Sequence, residues 1–103
     1  MFTSPRSPHR PENVLLARML HDARLAAGLT QLEAATELGL AQTFISKIEV
    51  SERKIELVVV RDLCRIYGVD FLDFVSEFES AARKGKVTPA PRLVRKDKGT
   101  RRG

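Results

Sequence analysis

Residues 30 to 49, TQLEAATELGLAQTFISKIE, constrain the fold more than any other stretch, because they describe two short helices meeting at a sharp turn. Gly28 ends a preceding helix. Thr30 then offers a hydroxyl to cap a new one, and Glu33, three residues on, completes a capping box. Ala34, Ala35 and Leu38 give this helix a thin apolar side made largely of small residues, which lets a second helix cross at close range. Gly39 stands where the chain must turn and positive φ is needed. The next helix runs from Gln42 to Glu49, with Ile45 and Ile48 pointing inward.

The other side of that helix shows Gln42, Thr43, Ser46 and Lys47. These are short or flexible polar groups suited to touching DNA bases and phosphates. The pattern is that of a helix-turn-helix, whose second helix lies in the major groove. A solvated helix face is the plainer alternative for the same four residues.

The remaining chain reads as three more helices. Pro11 opens the first, where its missing N–H is harmless, and the helix runs to about Ala27 with Leu16, Leu20, Ala23 and Ala27 along one face. After a charged loop over residues 50–56, Val59, Val60, Leu63, Cys64 and Tyr67 recur at helical spacing and end at Gly68. The run Val58-Val59-Val60 also suits a strand, but nothing else in the chain offers it a partner. Asp70 caps a fifth helix to about Arg83. The expected architecture is an all-α, compact five-helix bundle over residues 11–83. A disordered N-terminal arm, residues 1–10, and a basic disordered C-terminal tail, residues 84–103, flank it.

Charge divides along the same lines. Residues 12–79 hold 7 Lys and Arg against 12 Asp and Glu, a net of −5, whereas residues 80–103 carry +8 and residues 1–11 carry +2. Attraction to phosphate must therefore come from the tail and from a local patch of Lys47, Arg53 and Lys54. No apolar run approaches the ~18 residues needed to cross a bilayer. The single cysteine, Cys64, permits no internal disulfide and supplies no thiolate cluster. His9 and His21 have no ligand partners at metal spacing. No metal, cofactor or catalytic group is expected, and a cytoplasmic, non-enzymatic protein is the economical reading.

The run R-x-x-x-G-L-T-Q-x-E-A-A-x-x-L-G followed by Q-T-F-I-S-K-I-E-x-x-E-R-K-I, from Arg24 to Ile55, resembles the lambda-repressor-like (Cro/repressor, Xre-type) helix-turn-helix domain. The resemblance extends over residues 18 to about 75. It implies base contacts from Gln42, Thr43 and Lys47 with Ser46 beside them, and phosphate contacts from Gln31 and Arg53. It also implies a partly buried salt bridge between Arg24 and Glu49 that sets the angle of the recognition helix. Phe44 could touch a thymine methyl or pack against the following loop. One departure is visible. The family has glycine two residues after the glutamate, where this chain has Ser51, so Ser51 accepts that turn or the turn differs.

Phe71, Phe74 and Phe78 line one side of the fifth helix, and Leu72 and Val75 widen the stripe. They are read as a homodimer interface, with a core anchor in a monomer as the alternative. The functional expectation is a sequence-specific regulator of transcription, most simply a repressor. It would bind double-stranded DNA at a palindromic operator. Two other roles suit the basic tail: an antitoxin-like module that binds a partner protein, and RNA binding through Arg101, Arg102 and their neighbours.

Overall fold

The computed structural model describes residues 9–85, which form five helices and, among these residues, no strand. They are α1 (Pro11–Ala26), α2 (Gln31–Leu38), α3 (Gln42–Glu49), α4 (Leu57–Tyr67) and α5 (Phe71–Gly85). Val58 to Val60 lie in the first turns of α4, so the valine run is helical. The fifth helix continues through Lys84 and Gly85, past the expected boundary at Arg83. The expectations for residues 1–8 and 86–103 lie outside the described residues.

Local chemistry explains the helix ends. Thr30 Oγ1 accepts from the Glu33 amide at 3.0 Å, and the Glu33 carboxylate accepts from the Thr30 amide at 2.9 Å, a complete capping box. Asp70 accepts from the Asp73 amide at 2.9 Å at the start of α5. At their C-termini α1 to α4 share one closure. The amides of Leu29, Leu40, Glu52 and Val69 donate to the carbonyls of Arg24, Ala35, Lys47 and Cys64, each five residues back. Closure of this kind requires a left-handed residue just before the donor. Glycine serves at three of the four ends; after α3 the residue is Ser51, with φ 61°. Ser51 therefore accepts the turn the family makes with glycine.

The core collects Leu20 from α1, Ala34 and Ala35 from α2, Ile45 and Ile48 from α3, Val60, Leu63, Cys64 and Tyr67 from α4, and Phe74 from α5. Leu20, Ile45, Ile48 and Leu63 are fully buried, and burying each side chain contributes about 1.5–3 kcal/mol relative to exposure. The alanines of α2 leave room for α3 to cross it closely. The inward line of α1 runs Ala17, Leu20, Arg24 rather than through Ala27. Ala27 is the C-cap, where the chain has already left the helix, and it is exposed.

The phenylalanine stripe of α5 is mostly spoken for. Phe74 is 4% exposed and belongs to the core of this chain, and Phe71 packs against that core. Phe74 is thus a core anchor of this chain, because α5 turns it onto α1 and α4. Phe78 is half-buried, and the apolar surface α5 leaves open is Leu72, 75% exposed, with Val75.

Candidate nucleic-acid interface

The third helix is divided cleanly by burial. Ile45 and Ile48 are sealed in the core, Gln42, Thr43 and Lys47 are exposed, and Ser46 is half-buried. Residues at i, i+1, i+4 and i+5 share one side of a helix, so these four polar groups form one continuous outward surface. Ala41 precedes them without a side-chain cap. The first-turn N–H groups of α3 are therefore not taken by a capping side chain, an arrangement that favours a nearby anionic oxygen.

A hydrogen-bonded network centred on Glu49 holds this surface in place. The Arg24 fork donates twice to the Glu49 carboxylate, Nε to Oε2 at 2.8 Å and Nη2 to Oε1 at 3.0 Å. Its Nη1 donates to the Leu29 carbonyl at 2.7 Å. Gln31 Nε2 also donates to Glu49, at 3.1 Å, and His21 Nδ1 lies 2.9 Å from the same carboxylate. Arg24 Nη2 lies 3.3 Å from that Nδ1. One nitrogen cannot donate to the carboxylate and accept from the guanidinium at once, and donation to Glu49 is the shorter contact.

Both ends of the ion pair are buried, the Arg24 side chain 7% exposed and that of Glu49 4%. Burial alone would raise the Glu49 pKa. Hydrogen bonds from Arg24, His21 and Gln31, with the charge of Arg24, outweigh that penalty and hold the carboxyl below its ordinary value. The same hydrogen bond to Glu49, opposed by burial, raises the pKa of the Arg24 guanidinium further. The pair is fully ionised at neutral pH and ties α1 to the last residue of α3.

Gln31 reaches the outward surface too. Its Oε1 accepts from Gln42 Nε2 at 3.2 Å, so one amide bridges Glu49 and the first residue of α3. An amide NH₂ carries two hydrogens; one goes to Glu49 and the other is available to a phosphate oxygen. Arg53 lies beyond the far end of α3, its guanidinium 4.5 Å above the Phe44 ring. The ring, half-buried against the core, steadies an otherwise exposed arginine. Phe44 is thereby placed in packing against the loop.

Two features escaped the sequence. His21 is a partner of Glu49, and Gln31 is joined to Gln42. His21 precedes Arg24 by three residues, one helical turn, which was the available sign that both face α3. Among the described residues no cluster of acidic, histidine or cysteine side chains could hold a metal. No described helix is long and apolar enough to cross a membrane.

Residues 20–74 match a family model described as helix-turn-helix. No curated protein matches the chain. Among solved structures, an XRE-family like protein from Pseudomonas syringae pv. tomato is 38% identical, with a TM-score of 0.64, over 68% of this chain and 85% of that one. The restriction-modification controller protein C.AhdI from Aeromonas hydrophila is 24% identical, with a TM-score of 0.57, over 61% and 91% of the two chains. The clp gene regulator ClgR from Corynebacterium glutamicum shares the fold at 18% identity and a TM-score of 0.64, over 72% and 79%. The match over residues 20–74, the close Pseudomonas relative and the buried Arg24–Glu49 frame agree: this chain belongs to the Xre-type, lambda-repressor-like helix-turn-helix family of DNA-binding domains.

Proposed function

We propose that this protein is a sequence-specific regulator of transcription that reads the major groove of double-stranded DNA with α3. The observation that carries this reading is the continuous polar surface of Gln42, Thr43, Ser46 and Lys47 on a helix anchored at Ile45, Ile48 and Glu49. Glutamine can hold adenine through two hydrogen bonds and lysine can reach guanine acceptors, each such pair supplying ~1–3 kcal/mol of discrimination. Gln31 and Arg53 position the domain on phosphates, and bound protein occludes a promoter, so repression is the expected direction. The chemistry of the site is recognition without catalysis, and the setting is the cytoplasm.

The regulator acts as a homodimer on a palindromic operator. Leu72, Val75 and the half-buried Phe78 supply the apolar surface, and two copies of α3 then lie ~34 Å apart, one turn of DNA. Selection of bound duplexes from a random pool tests the whole reading, comparing wild type with the Gln42→Ala/Lys47→Ala variant. An enriched palindrome that the variant loses is the expected result. Equal retention of unrelated sequences by both proteins would show that α3 reads no bases.

A further inference from the structure

Between α1 and the end of α3 lies an open pocket of about 400 Å³, whose wall includes Arg18, His21, Gln31, Glu49 and Ser51. We propose that this pocket holds a DNA backbone phosphate, with Arg18 and His21 of α1 as its cationic wall, an inference that rests on the DNA-binding reading above.

The charge balance favours an anion. Glu49 is the one carboxylate lining the pocket, and the Arg24 fork already neutralises it. Arg18, exposed on α1, remains as net positive charge at the rim. The placement favours DNA over a free anion. Gln31 forms part of the wall and is hydrogen-bonded to Gln42, so a phosphate in the pocket lies one side chain from a base-reading residue. In a body of net charge −5 over residues 12–79, an added cation on this side has a clear use.

His21 gives the site a proton linkage. Its Nδ1 is committed to Glu49, and its side chain is 39% exposed. The remaining ring nitrogen, Nε2, can meet a phosphate oxygen only as a donor, which requires both ring nitrogens to carry hydrogen. Phosphate binding and imidazole protonation then favour each other. The charged or titratable groups around the ring are Glu49 from α3, Arg18 and Arg24 from α1, and His9 ahead of α1.

The test is fluorescence anisotropy with a short labelled duplex of arbitrary sequence, since phosphate contacts carry no sequence information. Arg18→Gln lowers the slope of log affinity against log salt by about 0.9, the value for one lost phosphate contact, and Arg18→Lys restores it. Arg83→Gln, on α5, leaves the slope unchanged and controls for net charge. Lowering the pH from about 8 to about 6, the range in which imidazoles change charge, raises wild-type affinity several-fold, and His21→Gln abolishes that response. Thermal melts confirm that each variant is folded. An unchanged slope in Arg18→Gln, with wild type binding the duplex, overturns the pocket and leaves the DNA-binding reading standing. A wild-type pH response retained in His21→Gln overturns the role of His21. Failure of wild type to bind any duplex at low salt overturns both readings together.

Discussion

Replacing Arg24 with methionine keeps most of the side chain's length and removes its charge, so it isolates what the guanidinium contributes. The structure shows what is lost: two bonds to Glu49 and one to the Leu29 carbonyl, all between groups shielded from water. Glu49 would keep Gln31 and His21 as donors but no fixed countercharge. Breaking a buried ion pair by removing one partner costs about 3–5 kcal/mol. A folded body of this size has a total stability of roughly 4–12 kcal/mol. The expected fall in melting temperature is on the order of 15–30 °C, at about 4–8 °C per kcal/mol for a small domain. The double variant Arg24→Met/Glu49→Leu should recover most of this loss, because no orphaned charge remains. Circular dichroism melts and urea titrations of the single and double variants at neutral pH measure both effects. A loss below about 1 kcal/mol in the single variant, the value of a solvated surface pair, would refute the view that Arg24 and Glu49 act as a buried frame.

Other consequences follow from the same geometry. Because the Glu49 pKa is depressed in the folded state, its contribution is fully present above the ordinary glutamate value of 4.5 and is lost as pH falls through the lower folded-state value. Acid denaturation of wild type should therefore show a loss of stability below pH 4.5 that Glu49→Gln lacks. Ser51→Gly relieves a left-handed serine and should stabilise the protein by about 1 kcal/mol, read as a rise of about 4–8 °C in melting temperature; a fall would mean that the Ser51 side chain outweighs the strain. Phe74→Ala should cost about 3–5 kcal/mol at any protein concentration, as a core residue does. Leu72→Glu should leave the fold intact and, if the proposed homodimer forms through α5, shift sedimentation equilibrium toward monomer; an unchanged association state would move any interface away from α5.

The parts of this fold legible in the sequence are those specified locally. Thr30 with Glu33, Asp70, Pro11 and the glycines at 28, 39 and 68 each act within one helical turn, so the helices could be bounded before any packing was known. Alternation within α3 likewise separated Ile45 and Ile48 from the polar surface. What stayed hidden depends on groups far apart in the chain. A stripe of phenylalanines says that one side of α5 is covered, but not whether α1 and α4 or a second copy covers it. The resemblance marked Ser51 as the turn residue, but its side chain carries no local signal of a left-handed conformation, which follows from the closure of α3 onto Glu52. The bond from Gln42 to Gln31 joins residues with no fixed spacing rule, and appears only once α2 and α3 have crossed.

That glutamine pair bears on how quickly and how faithfully a base can be read. A long amide side chain on an exposed helix ordinarily wanders among rotamers, and binding must then pay for its arrest. In this protein Gln42 is already tethered at 3.2 Å to Gln31, which is itself tethered to Glu49. Part of the entropy of ordering is thus surrendered during folding, before any ligand arrives. If α3 reads bases as proposed, engaging one becomes an exchange of one amide partner for another, and a mismatched base that offers no equivalent partner leaves the exchange unfavourable. On that proposal, the tether makes the resting protein the standard against which every base pair is compared.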